Sequence, residues 1–240
     1  MTLPPEIVDH IIDFIKDPWT LEACSRVARS WVARSRVHLF HQVVLFSHRR
    51  WHKVMSIGDV SPAKYIRTLT LAQGTTIRGM WINPDNLDLF LPHLKDFKNV
   101  ENLALDWTPS AFSEDGLNKY FAHFGERLRS LELSGDRMSP DYFLALLGLL
   151  PNLEDLCLKQ RVDGPVTDRV LAVPPKLSGR LTIRAHTMSI FPTLSVLPLR
   201  FREILLHDHR YEYQEAVDAC AKTLVYFRAM SLDGGEWGSN

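Results

Sequence analysis

Ten histidines and three cysteines are the residues of this sequence best suited to chemistry, and their spacing decides what they can do. His38, His41, His48 and His52 fall in one short stretch, and His207 and His209 stand together near a later strand end. His48 and His52 would share one face of a helix, a workable ligand spacing. No HExxH signature and no cysteine accompanies them, so solvated or interface histidines are the better reading. Cys24, Cys157 and Cys220 are odd in number, far apart and without a CxxC pair, which argues for reduced thiols and against a secreted disulfide framework. Cys24 falls on an apolar helix stripe and Cys157 in mid-strand, which suits packing. No GxSxG elbow is present, and the carboxylates form no acid–base pair. The sequence predicts no catalytic residue, no metal site and no cofactor.

Charge narrows the partners. The 28 Lys and Arg residues balance 28 Asp and Glu, so no global basic footprint for nucleic acid exists. Locally, Arg26, Arg29, Arg34, Arg36, Arg49, Arg50 and Lys53 occupy a stretch without acids, beside Trp31 and Trp51. That stretch admits a nucleic-acid reading, but no nucleic-acid fold motif accompanies it. A solvated face balanced by acids elsewhere, or one that steers an acidic protein partner, is preferred. The N-terminus lacks the basic region of a signal peptide, and Asp9 and Asp13 interrupt its apolar stretch. The longest apolar run, 142–151, is half of the roughly 20 residues a membrane helix needs. A soluble intracellular protein, cytoplasmic or nuclear, is expected.

The elements that must position these residues show a repeat. An apolar-x-x-apolar-x-apolar pattern appears as Phe40/Val43/Leu45, Ile66/Leu69/Leu71, Val100/Leu103/Leu105, Leu128/Leu131/Leu133 and Leu153/Leu156/Leu158. Successive copies are 26, 34, 28 and 25 residues apart. Weaker copies follow at Leu181/Ile183, Phe201/Ile204/Leu206 and Leu224/Phe227. The period matches leucine-rich repeats, with one longer insertion between Leu71 and Val100. In a strand, Leu103 and Leu105 share the inward face, while Thr70, Ala104, Glu132, Cys157 and Thr182 point outward. Such a strand cannot bury its apolar side alone; stacked parallel copies can.

Between the strands the period becomes helical. Leu87, Phe90, Leu91 and Leu94 form one such row, and Ser113 opens another through Leu117, Tyr120, Phe121 and Phe124. Ser139 reads as the N-cap of a third, with Pro140 at its first position and Pro151 ending it. A last helix is expected over 213–224, and 161–178 reads as an irregular or 3₁₀ connector. The fold class predicted is α/β, a solenoid of parallel strands with helices on the outer face. An ordinary doubly wound domain also alternates strands and helices, but the constant period and the lack of a glycine-rich fingerprint weigh against it.

Residues 1–40 lie outside the repeat. Pro4-Pro5 can start a helix in which Ile7, Ile11, Phe14 and Ile15 form one apolar row and Val8, Ile12 and Ile15 a second. Asp17-Pro18 stops it. Thr20 can cap a second helix carrying Leu21, Cys24, Val27, Ala28 and Trp31, and Ser30 a third reaching Phe40. Three short helices cannot be stable alone, so they must lean on the repeats or on a partner.

These residues resemble an F-box. The motif is carried by Leu3-Pro4-Pro5-Glu6-Ile7-Val8, by Ile11 and Ile15, by Leu21-x-x-Cys24-Ser25-x-Val27-x-Arg29-x-Trp31, and by Leu39-Phe40. Its flavour is similar to F-box proteins of mushroom-forming fungi, and Arg26 and Ala28 stand where such members often carry an apolar residue and a cysteine. The resemblance implies a substrate-recognition subunit of a Skp–cullin–F-box ubiquitin ligase, binding a Skp-family adaptor and through it a cullin–RING ligase. It implies an adaptor interface at or beside Leu3, Pro4, Ile7, Leu21, Cys24, Val27 and Trp31. The alternative is a leucine-rich-repeat scaffold whose helices 1–40 serve only as a cap.

The domain organisation expected is a helical F-box-like segment over 1–40, repeats over 41–233 and a disordered tail over 234–240. No terminal cap is visible, as in a chain that stops a repeat early or a truncated product. A target protein would be held on the outward strand positions by Asn102, Asp106, Trp107, Glu132, Lys159 and Arg184. The insertion 72–86, with Met80 and Trp81, is a rival recognition loop.

Overall fold

The computed structural model describes residues 3–45, 62–72, 91–106, 114–135, 137–159, 161–162, 171, 174–184, 193–194, 197–207, 217–218, 220–230 and 236–237. Three helices come first: α1 (Pro5–Phe14), α2 (Pro18–Val27) and α3 (Arg29–Leu39). Pro5 and Pro18 each stand in the first turn, where the missing N–H costs nothing. The cap of α2 is Asp17 rather than Thr20: its carboxylate accepts from the Thr20 N–H at 2.7 Å and the Thr20 hydroxyl at 2.6 Å. One dipeptide, Asp17-Pro18, thus both stops α1 and starts α2.

A parallel sheet follows, built from β1 (Gln42–Leu45), β2 (Thr68–Ala72), β3 (Asn102–Asp106), β4 (Ser130–Ser134), β6 (Asp155–Leu158), β8 (Arg180–Ile183), β9 (Glu203–Leu206) and β10 (Tyr226–Met230). Its register stacks like on like. Val43, Leu69, Leu103, Leu131, Leu156, Leu181, Ile204 and Phe227 form one inward column. Leu45, Leu71, Leu105, Leu133, Leu158, Ile183, Leu206 and Ala229 form the next, and every member of that second column is buried. Between strands lie α4 (Glu114–Phe121), α5 (Pro140–Gly148) and short 3₁₀ turns at Pro62–Tyr65, Leu91–Asp96 and Ala122–Phe124. Phe97, Phe121, Phe124 and Phe143 from these connections share one core with the leucine columns. The chain is therefore a solenoid of parallel strands, with the connecting helices on one face, preceded by a three-helix segment.

Several expectations shift in detail. Ser139 caps α5 by accepting from the Tyr142 N–H at 3.3 Å, as its spacing predicts. The connector after β6 contributes β7 (Arg161–Val162), which pairs with β5 (Arg137–Met138) in a side sheet that no periodicity foretold. The tail expected to be disordered includes β11 (Glu236–Trp237), antiparallel to β10. A last parallel strand leaves an open edge, and β11 pairs with it there. Of the predicted helix 213–224, only residues 217–218 and 220 are described as helical, and residues 87–90, Ser113 and residues 73–86 of the insertion, with Met80 and Trp81, lie outside the described residues. Among the described residues no helix is long and apolar enough to cross a membrane.

Adjacent repeats are keyed by polar pairs at their bends. Asn99 donates to the Lys64 carbonyl at 2.7 Å, and Asn152, at the equivalent position two repeats on, donates to the Glu126 carbonyl at 3.0 Å. Arg67 meets Glu101 at 3.0 Å and Arg129 meets Glu154 at 2.8 Å. Exposed pairs of this kind contribute little stability, so their effect is on register.

Gly125 sits where two connections close together. A Cβ there would stand 2.4 Å from the Leu149 carbonyl oxygen, which is backbone and cannot yield. Its φ of −55° is open to any residue, so close approach alone requires glycine. Gly125→Ala is expected to destabilise by about 1–3 kcal/mol in urea unfolding, although helix propensity alone favours alanine. A neutral or positive change would show that α4 and α5 are less tightly joined than this. Leu177 breaks a local rule in the opposite way. Its φ of 38° is a glycine conformation, yet its side chain is wholly buried, so core packing holds the backbone there.

Candidate functional site

Two surfaces stand out, one on the helices and one on the sheet. On α1, Val8 and Ile12 turn inward against Leu21. The other apolar row does not. Leu3, Ile7, Ile11 and Phe14 follow one another at helical spacing, and Ile7, Ile11 and Phe14 are 48%, 43% and 71% exposed. On α2, Trp19 at 80% and Val27 at 65% are also uncovered. Contiguous apolar exposure of this kind marks an interaction surface more often than chance scatter does.

The residues the sequence assigned to this interface divide. Leu3, Pro4, Ile7 and Val27 are exposed, whereas Leu21 and Cys24 are buried inside the bundle and Trp31 packs half-buried against it. Those three shape the helices rather than meet a partner directly. Ile11 and Phe14 were read in one apolar row with Ile7 but not assigned to the interface, although the i, i+4, i+7 step carries the signal, and Trp19 was not named.

Asp13 ties the bundle together. Its carboxylate accepts two hydrogen bonds from the Arg34 guanidinium, both at 2.5 Å, and lies 2.8 Å from His38 Nε2. The Arg34 and His38 hydrogen bonds hold the Asp13 carboxyl well below the usual carboxylate range. Because its folded pKa is lowered, the stabilisation from the link is complete above the ordinary value of 3.8 and declines as pH falls from there through the lowered folded pKa. Acid titration followed by Trp31 fluorescence should show that loss in the wild type, and Asp13→Asn should show it already at neutral pH. A variant indistinguishable from wild type would make the pair incidental. The same contact accounts for part of the basic stretch: Arg34 is paired with Asp13, and Arg26 with Glu22. His48, Arg49, Arg50, Trp51, His52 and Lys53, like His209, lie outside the described residues.

On the sheet, the outward columns form an open polar face. Asn102, Asp106, Glu132, Lys159 and Arg184 all fall on it, while Trp107 lies outside the described residues. Lys159, Arg184 and His207 extend the column of Asp106 and Ser134, since their amides continue the strand ladder to Leu133, Leu158 and Ile183. Thr182 keeps its expected place in the outward column beside Cys157, although it is buried there. Within the face Asn102 donates to Thr68, Ser134 donates to Asp106 at 2.9 Å, and Lys159 pairs with Glu132. Burial and the neighbouring Glu132 push the Cys157 thiol up to about 11, so it is not a thiolate nucleophile. Among the described residues no group of three or more His, Cys, Asp or Glu side chains is placed to hold a metal.

The fold and its two surfaces define a repeat solenoid with a helical N-terminal segment, a class whose members act through extended surfaces. The sequence matches no family model and no curated protein. Among solved structures it is similar to a chain in the crystal structure of the Rad7 and Elc1 complex in yeast. That match has 15% identity over 93% of this chain and 81% of that chain, with a TM-score of 0.27. A likeness of that degree carries no argument about function.

Proposed function

We propose that the chain is a non-catalytic target receptor of a cullin-based ubiquitin ligase. Its N-terminal helices dock a Skp-family adaptor, and the open face of the sheet holds a target protein. The observation that carries this reading is the second apolar row of α1. A helix that served only as a cap would bury one row against the repeats and turn polar residues outward. Among the described residues, α3 packs on the turn Pro62–Tyr65 of the repeats. The row Leu3, Ile7, Ile11 and Phe14 stays exposed, and it contains Leu3 and Ile7, two of the positions through which the F-box resemblance implies adaptor binding.

Capping and docking are thus divided between helices rather than being rivals for the same residues. The direct test is co-expression of the full chain with a Skp-family adaptor, followed by affinity capture and gel filtration. Co-elution in a stoichiometric complex is the expected result. A folded, monomeric chain that leaves the adaptor unbound would return the bundle to a pure cap and the protein to the scaffold reading.

A further inference from the structure

Along the edge of the sheet where the strands begin, one column of residues carries alternating charge. The amide of Glu101 bonds to the Arg67 carbonyl, that of Arg129 to Glu101 and that of Glu154 to Arg129. Arg67 pairs with Glu101 and Arg129 with Glu154, so side chains in this column reach across one strand spacing. The same ladder continues through Gly179 and Arg202 to Val225, and there the alternation ends. Gly179 offers no side chain, and a Cβ there would stand 2.0 Å from an oxygen of the Asp155 carboxylate. That oxygen accepts the Arg180 N–H at 2.6 Å. On the other side of Arg202 stands Val225, the most exposed of the large apolar side chains among the described residues. Neither neighbour in the column can pair with Arg202. Two further cations flank it. Arg200 lies across the buried Phe201, and Lys222 precedes Thr223, whose hydroxyl donates to the Phe201 carbonyl at 3.2 Å. All three cations are exposed. Among the described residues no carboxylate pairs with any of them, and Glu203, next along the chain, is taken by Arg180.

We infer that Arg200, Arg202 and Lys222, beside the exposed Val225 and Tyr226, form a docking surface for an acidic protein segment that carries an apolar anchor. The inference rests on neither the adaptor role nor the target role proposed above. Carboxylates of the partner supply here the charges that Glu101 and Glu154 supply within the chain. Its apolar anchor covers Val225 and the half-exposed Tyr226 ring, apolar surface that the chain itself leaves in water. A nucleic-acid backbone would answer the cations but leave Val225 bare, so a protein segment is the better match. Spacing fixes the rest. Arg202 and Val225 stand one strand apart, about 4.8 Å, and an extended chain rises about 3.3 Å per residue. The acids therefore fall about one or two positions from the anchor.

The test uses the full chain without adaptor, so that failed adaptor capture has no bearing on it. The probe is a fluorescein-labelled Gly/Ser peptide in which a single leucine stands between paired glutamates. Companion probes carry glutamines for the glutamates, or serine for the leucine, and a short oligothymidylate is the fourth. Anisotropy should show the parent peptide binding about tenfold tighter than either companion, and tighter than the oligothymidylate. Arg202→Gln should weaken the parent peptide about tenfold and Val225→Ser about fivefold. Both positions are exposed, and unchanged circular dichroism checks that the fold is kept. Arg129→Gln, in the same column but already paired with Glu154, should leave binding unchanged. An unbound parent peptide, or equal affinity for either companion, overturns the inference. So does tighter binding of oligothymidylate, or a loss from Arg129→Gln equal to that from Arg202→Gln.

Discussion

Replacing Ile7 and Ile11 together by aspartate should abolish capture of a Skp-family adaptor while leaving the fold intact. Both side chains are close to half exposed, so the unbound protein gives up little packing when they change. Full burial of each isoleucine in a complex would contribute about 1.5–3 kcal/mol, and roughly half of that area remains available for a partner. The variant also forces two carboxylates into an apolar contact, which costs further. A loss of about a hundredfold or more in affinity follows. Ile12→Asp supplies the contrast, because Ile12 has no exposure and packs with Val8 and Leu21. That variant should lose the helices themselves, visible by circular dichroism. Retained capture by a folded Ile7→Asp/Ile11→Asp protein would remove this row from the interface and with it the main support for the receptor reading.

The contrast between Ile7 and Ile12 also marks how far the sequence could be read. Two apolar rows on α1 were visible from spacing, but which of them the chain itself would cover was not. That choice is made by Leu21 and by the Asp13–Arg34 link, contacts between residues distant in sequence. The solenoid was legible because each strand carries its own signal: Leu103 and Leu105, Leu131 and Leu133, Leu156 and Leu158 repeat one local pattern. The side sheet of β5 and β7 was not, because two residues per strand hold no period. Asp106, Glu132, Lys159 and Arg184 were placed on the outward face by alternation alone. Leu224 and Phe227 marked β10 only weakly, and its place beside β9 depends on sheet register.

The second large effect is expected at Phe143. Helix α5 is buried almost all round: every residue from Tyr142 to Leu147 is buried, with Phe143 wholly inaccessible. It lies midway along a single core that runs from Leu45 on β1 to Ala229 on β10. Phe143→Ala removes a large side chain from a site closed on every side, a change that costs about 3–5 kcal/mol. For a domain of this size the midpoint of thermal unfolding should fall by about 10 °C. The form of the transition should change too. Each repeat of a solenoid touches only its neighbours, so cooperativity passes through the central ones and a weak link there divides the array. Urea unfolding of the variant should therefore broaden, with hydrogen exchange showing one side of α5 opening before the other. Val225→Ala, at a position 82% exposed, is the matched control and should change stability by less than about 0.5 kcal/mol. A Phe143→Ala protein that unfolds in one sharp step with wild-type slope would mean that the strand ladder, rather than the core beneath it, couples the repeats.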